Sequence, residues 1–264
     1  MKKICVLAFA VSLCFAGASF AGSLRVGATP TPHAEILAQV RDELKAQGVD
    51  LQIVEFTDYV TPNLALSDGE LDANYFQHLP YLQSFCEDRG LDLTSAATIH
   101  VEPMGLFSKK FAALEELKDG ALIAIPNDPT NCGRALLLLQ SAGLIRLAAD
   151  SGLTATELDV EENKHDFKFR SLEAAQLPRS LDDVDAAVIN GNYAIPAGFN
   201  PARDALLVEG ADSPYANVIA VKAGNENNAD VQALIKALQS DKISKYILDA
   251  YAGGVLPAFG GPAK

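Results

Sequence analysis

Residues 127–139 read Asn-Asp-Pro-Thr-Asn-Cys-Gly-Arg-Ala-Leu-Leu-Leu-Leu, polar turn chemistry running into an apolar stretch. The pattern predicts a helix capped by Thr130 or Asn131, with Arg134 in its first turn. A cation is disfavoured there, because a helix N-terminus carries partial positive charge. The position makes sense if an anion lies between the guanidinium and the free backbone N–H groups. A carboxylate suits it: the guanidinium grips one through two parallel hydrogen bonds, and the helix end adds its dipole. The competing reading is a solvated Arg134 paired with a nearby acid such as Asp128 or Asp182, and the segment alone does not separate the two.

A second group is aromatic. Residues 74–81 read Asn-Tyr-Phe-Gln-His-Leu-Pro-Tyr, following a strand-like run and preceding a helical one. Open α/β sheets bind ligands at such carboxyl-terminal strand ends. Tyr75, Phe76 and Tyr81 offer flat apolar faces, His78 offers a ring that can hydrogen-bond, and Tyr59 lies just after the preceding strand, where it can join them. Aromatics at strand ends also seal cores without any ligand. Asn190 closes a buried strand, and Asn217 opens another. An amide both donates and accepts, so these residues can hold an ammonium through oxygen and a carboxylate through nitrogen. Turn formation is the alternative, and the preferred one for Asn192.

Other chemistries lack their residues. There is no GxxxxGK[ST], GxSxG or HExxH motif. The four histidines, His33, His78, His100 and His165, show neither i,i+4 nor HxH spacing, so no zinc site is expected. No nucleophile, base and orienter can be assembled, so neither an enzyme nor a cofactor is expected. The net charge of −13 argues against nonspecific nucleic-acid binding, which needs cations on phosphates.

The elements that must carry these residues alternate. Leu24–Ala28 reads as a strand. His33–Gln47 reads as a helix with an apolar stripe at Ile36, Leu37, Val40 and Leu44, closed by Gly48. A strand at 49–53, a short helix at 63–66, a strand at 71–75 and a helix at 81–86 follow, an order that predicts α/β structure with a largely parallel sheet. A second series begins near 106, with buried strands at 121–125, 186–189 and 218–221, a helix from 135 to about Gly143, and closing helices at 231–238 and 243–251. Two such series joined by short connections fit a bilobal α/β protein. The expected division is 22–106 plus 222–264 for one lobe and 107–221 for the other.

The first 21 residues read as a secretory signal: Lys2 and Lys3, then an apolar run from Ile4 to Phe15 broken only by Ser12, then Ser19-Phe20-Ala21 as a cleavage site. Their removal takes away two lysines and no acid, so the charge moves from −13 to −15. A soluble exported protein is expected rather than a lipid-anchored one, because bulky Leu13 precedes Cys14 and Cys5 lies too early. Cys86 and Cys132 then remain; export permits a disulfide, and two buried thiols are the competing reading.

The long segments ATPTPHAEIL (28–37), DYVTPNLALSDGELDANYFQHLPYL (58–82), EPMGLFSKK (102–110), IAIPNDPTNCGRALLLLQSAGLI (123–145), LEAAQLPRSLDDVDAAVINGNYA (172–194) and SPYANVIAV (213–221), in this order, resemble the methionine-binding lipoprotein family. The resemblance implies the periplasmic-binding fold, two α/β lobes joined by two crossovers, with L-methionine in the cleft. It implies a non-catalytic, periplasmic monomer that delivers its cargo to the permease and ATPase of an ABC importer. Arg134 matches the family's carboxylate-gripping arginine; Asn131, Asn190 and Asn217 match positions that bind the ligand's amino-acid backbone; Tyr59, Phe76, His78 and Tyr81 match the side-chain end. A methionine-containing dipeptide or a methionine derivative is the alternative cargo. Family members are commonly anchored through an N-terminal lipid-bearing Cys, a feature this chain departs from.

Overall fold

The computed structural model describes residues 22–210 and 213–259; the expected signal peptide lies outside them. Thirteen strands occur in this range: β1 Gly22–Ala28, β2 Val49–Glu55, β3 Ala73–His78, β4 Leu93–Val101, β5 Gly105–Phe107, β6 Leu122–Pro126, β7 Arg146–Leu147, β8 Val160–Glu162, β9 Lys168–Leu172, β10 Ala186–Ile189, β11 Leu207–Val208, β12 Asn217–Lys222 and β13 Leu256–Pro257. They form one sheet of order β13-β4-β12-β3-β1-β2, a second of order β11-β5-β10-β6-β9, and a small β7-β8 ribbon. The chain passes from the first sheet to the second between Val101 and Gly105 and returns between Val208 and Asn217. This is the bilobal arrangement with two crossovers.

Three expectations need correction. The sheets are mixed: β1 pairs in parallel with β2 and β3, but β12 and β13 add antiparallel strands on either side of β4. In the second sheet β5 runs antiparallel between β10 and β11. Strand direction in the sheet follows from where the returning chain enters, which periodicity does not report. The pairing of β12 with β3 and β4 puts residues 217–221 in the first sheet, whereas the expected boundary assigned them to the second lobe. The strand expected at 71–75 runs from 73 to 78, because Ala73–His78 is buried on both faces and shows no alternation to mark its ends.

The apolar stripe at Ile36, Leu37, Val40 and Leu44 is fully buried, but two short helices, Glu35–Ala38 and Arg41–Ala46, with Val40 at the junction between them, carry it in place of one. They pack on the first sheet with the closing helices Ala229–Leu238 and Asp241–Tyr251, around Val26, Ile219, Leu234 and Ile247. The helix Pro129–Ser141 covers the second sheet through Ala135, Leu136 and Leu139 against Ile123 and Val188. Burial of each such Leu, Ile or Val side chain contributes about 1.5–3 kcal/mol. Cys86 and Cys132 are free thiols, the second buried. Burial pushes the Cys132 thiol up to about 11, which keeps it protonated and unreactive.

Candidate functional site

The helix Pro129–Ser141 starts earlier than its apolar run suggests. Asp128 is its cap, accepting the backbone N–H of Asn131 at 2.9 Å, and Pro129 occupies the first helical position, where no N–H is needed. Arg134 therefore lies in the second turn, beyond the reach of the terminal dipole. Its placement comes from tertiary packing. The Nε and Nη2 groups donate to the two carboxylate oxygens of Glu209 at 3.0 and 2.5 Å, and Nη2 also donates to the Glu102 carbonyl at 2.8 Å. The guanidinium lies 4.3 Å from the centroid of the Tyr215 ring. Neither Asp128 nor Asp182 is its partner. Nη1 makes no hydrogen bond among the described residues, and Arg134, only 3% exposed, lines a cavity between the lobes.

The space within that part-open cavity, including solvent at its mouth, is about 330 Å³. All eight residues expected at the site, Tyr59, Phe76, His78, Tyr81, Asn131, Arg134, Asn190 and Asn217, line it. So do Gln77, Glu102, Gly191 and Asn192, which the sequence reading left out. Asn192, read as a turn residue, accepts the Tyr59 hydroxyl on its Oδ1 at 2.5 Å.

One end of the cavity is aromatic. The Tyr59 ring sits 6.0 Å from Phe76 and 5.8 Å from Tyr81, with Phe85 stacked behind Tyr81. The Tyr81 hydroxyl donates to the Tyr59 carbonyl at 2.9 Å, which holds both rings in place. His78 caps the helix Leu79–Arg89: its Nδ1 accepts the Tyr81 N–H at 3.1 Å, so Nε2 carries the proton and donates to Asn131 Oδ1 at 3.2 Å. Burial first, and the Arg134 charge second, push His78 down to about 3, so the ring is neutral.

The amides are differently employed. Asn131 Oδ1 accepts from His78 and also from Asn190 Nδ2 at 2.8 Å, while its Nδ2 donates to both oxygens of Asp128. Asn131 is thus a hub that holds other lining residues. Asn190 Oδ1 and Asn192 Nδ2 are buried without a hydrogen-bond partner among the described residues. One buried acceptor and one buried donor facing a cavity cost free energy unless something binds there. The lobes meet across the cleft through Tyr59 to Asn192, His78 to Asn131, and the Tyr193 hydroxyl donating to the Thr57 carbonyl at 3.0 Å.

The opposite wall holds Glu102, 5% exposed. Its Oε1 lies 2.9 Å from His100 Nε2 and 3.2 Å from His33 Nε2. His33, His100 and Glu102 form the one group of possible metal ligands among the described residues, their ligand atoms within 4.8 Å of one another. Sequence spacing missed it because His33 comes from a segment 67 positions before His100. The separations are those of hydrogen bonds, and Asn217 Oδ1 also lies 3.1 Å from His33 Nε2, so a proton on that nitrogen satisfies both acceptors. The only signal in the sequence was an acid two residues after a histidine, His100-Val101-Glu102.

The family model described as NlpA lipoprotein matches residues 24–259. The D-methionine-binding lipoprotein MetQ of Salmonella typhimurium is 47% identical over 225 residues, covering 84% of this chain and 82% of its own. A nutrient binding protein from Burkholderia cenocepacia, solved bound to methionine, superposes with a TM-score of 0.85 at 45% identity, covering 89% of this chain and 100% of its own. A periplasmic substrate-binding protein of an ABC transporter from Coxiella burnetii gives a TM-score of 0.85 at 47% identity over 89% of this chain and 100% of its own.

Proposed function

The chain belongs to the NlpA lipoprotein family, and from that premise we propose that it captures methionine outside the cytoplasm and delivers it to an ABC importer. One observation carries the reading: a cavity between the lobes with a guanidinium and unpartnered amides at one end and three aromatic rings at the other. The ligand's carboxylate takes Arg134 Nη1 and Asn192 Nδ2. Its ammonium takes Asn190 Oδ1 and the Glu102 carboxylate. The thioether lies among Tyr59, Phe76 and Tyr81, where sulfur–aromatic contacts contribute about 0.3–1.5 kcal/mol each.

Charge supports a zwitterionic cargo. Arg134 is already neutralised by Glu209, so a ligand carrying only a carboxylate would add a second negative charge beside Glu102. The enantiomers share carboxylate, ammonium and thioether. Relatives named for D-methionine therefore put both hands in the assay beside the expected L form.

The remainder of the reading is transport. The protein binds and releases without chemistry, as a monomer, and the closed form docks on a permease whose ATPase drives import. Export follows from residues 1–21. The relative named as a lipoprotein gives no support to the expectation against an anchor, so the mass of the mature chain decides between cleavage after Ala21 and a lipid-bearing Cys14. The central test is mass spectrometry of ligand released from natively purified protein, followed by calorimetric competition with L- and D-methionine and a methionyl dipeptide. Released methionine, with the dipeptide weaker, supports the reading; a different cargo, or no methionine binding, overturns it.

A further inference from the structure

The wall around Glu102 contains more than a carboxylate. His33 Nε2 faces only acceptors, Glu102 Oε1 at 3.2 Å and Asn217 Oδ1 at 3.1 Å, so this nitrogen bears the hydrogen. His100 Nε2, 2.9 Å from the same Oε1, must bear one too. A neutral ring protonated at Nε2 has a bare Nδ1 that accepts. A hydroxyl stands at each: Thr29 lies 2.7 Å from His33 Nδ1, and Tyr75 is hydrogen-bonded to His100 Nδ1. Donation therefore runs inward from both sides, Thr29 to His33 to Glu102 and Tyr75 to His100 to Glu102. The histidines, Thr29 and Tyr75 are at most 1% exposed. Thr29 and His33 follow β1, Tyr75 is on β3, and His100 is on β4, which β12 separates from β3, so three strands of the first sheet hold the donors while the crossover after β4 supplies the acid.

Neither histidine takes the second carboxylate oxygen, and Glu102 lines the cavity. Oε2 would lie 2.9 Å from a Cβ at residue 191, so only glycine lets the acid sit there. We propose that His33 and His100 are positioning residues that hold Glu102 as a bare carboxylate acceptor and thereby restrict the site to ligands with a free ammonium group. The inference rests on the amino-acid reading and deepens it by naming what selects the α-amine.

The electrostatics agree. Burial pushes His33 down to about 4 and His100 to about 3, so neither ring competes for the proton that defines its tautomer. Burial raises the Glu102 carboxyl above its ordinary value, opposed by His33, Arg134 and a hydrogen bond from the Asn192 backbone N–H. The groups facing this acid are His33 after β1, His100 on β4, with Tyr75 of β3 behind it, Tyr59, Tyr193, and Arg134 on the helix Pro129–Ser141, itself paired with Glu209. Protonation of Glu102 replaces an acceptor by a donor, so ammonium binding weakens as pH falls through its raised value.

The test compares methionine with its des-amino analogue, 4-(methylthio)butanoate, by calorimetry on the full mature chain. Wild type should prefer methionine strongly at pH 8, and that preference should weaken as the pH is lowered, while the analogue's affinity does not fall. His100→Leu should weaken methionine by about tenfold or more, the loss of a hydrogen bond to a charged group, and leave the analogue within about threefold. His100→Gln, whose amide can donate in place of Nε2, should restore most of the preference. Tyr75→Phe, which deletes one hydroxyl, gives the same direction with a smaller change and serves if His100→Leu fails to fold. Equal weakening of both ligands, a wild type that binds them equally, or a preference that is flat with pH overturns the frame alone. A wild type that binds neither overturns the methionine reading as well.

Discussion

The two poles of the cavity handle charge in opposite ways. Arg134 is a permanent cation gripped from behind by a carboxylate, Glu209, so one face of the guanidinium is spent inside the protein. Glu102 is an acid gripped from behind by two neutral imidazoles, so one of its oxygens is satisfied but its charge is not. The cationic pole is thus balanced before a ligand arrives, and the anionic pole is waiting for a cation. A zwitterion fits both only because one pole supplies geometry and the other supplies net charge.

The sharpest break of this contrast is Arg134→Ala. It should weaken methionine by about 2–5 kcal/mol, because the ligand's carboxylate loses the Nη1 donor and Glu209 is left unpaired. Calorimetry of the variant measures it, and unchanged affinity would remove Arg134 from the site. Glu102→Gln comes next. It keeps the shape and the two histidine contacts but removes the charge, and should cost about 1.5–3 kcal/mol in affinity for methionine. The same variant should abolish the acid-side weakening of binding, read as a flat affinity profile between pH 8 and 5.

A third prediction concerns folding. His33, His78 and His100 titrate at about 4, 3 and 3 in the folded chain, below the ordinary 6.5. Between 6.5 and those values the unfolded chain binds protons that the native chain refuses. Stability is therefore full above about 6.5 and falls as pH drops, by up to about 1.4 kcal/mol per pH unit for each histidine. Glu102, raised by burial, works with the opposite sign and removes part of the slope. Denaturant titrations at pH 7, 6 and 5 measure this, and His78→Gln should flatten the curve. The smallest effect is at the apolar end: Phe76→Leu should cost methionine about 0.3–1.5 kcal/mol and cost norleucine less, because only sulfur gains from the ring. Equal losses in competition calorimetry would reduce the aromatic end to plain apolar packing.

Most of the secondary structure could be read from local pattern. The stripe through Ile36, Leu37, Val40 and Leu44 and the runs at 186–189 and 218–221 are buried as their periodicity demands. The elements that were misplaced or missed are those whose signal is not local. β3 is buried on both faces and lacks alternation, and β4, antiparallel between β12 and β13, was not foreseen at all. At the site, residue type singled out Arg134, the asparagines and the rings, while Glu102, Gln77 and Asn192 looked like ordinary polar residues.

The amino-acid order by itself determined where the chain turns helical or extended, because side-chain periods of 3.6 and 2 are properties of neighbouring residues. It also determined which chemical groups were available. Only the tertiary structure decided their partners. Arg134 meets Glu209, 75 positions away, and His33 meets Asn217, 184 positions away. Those encounters depend on strand order and register in two sheets, and a hydrogen bond is sensitive to tenths of an ångström that no local pattern encodes. The tautomers of His33 and His100, and with them the role of Glu102, exist only once those distances are set.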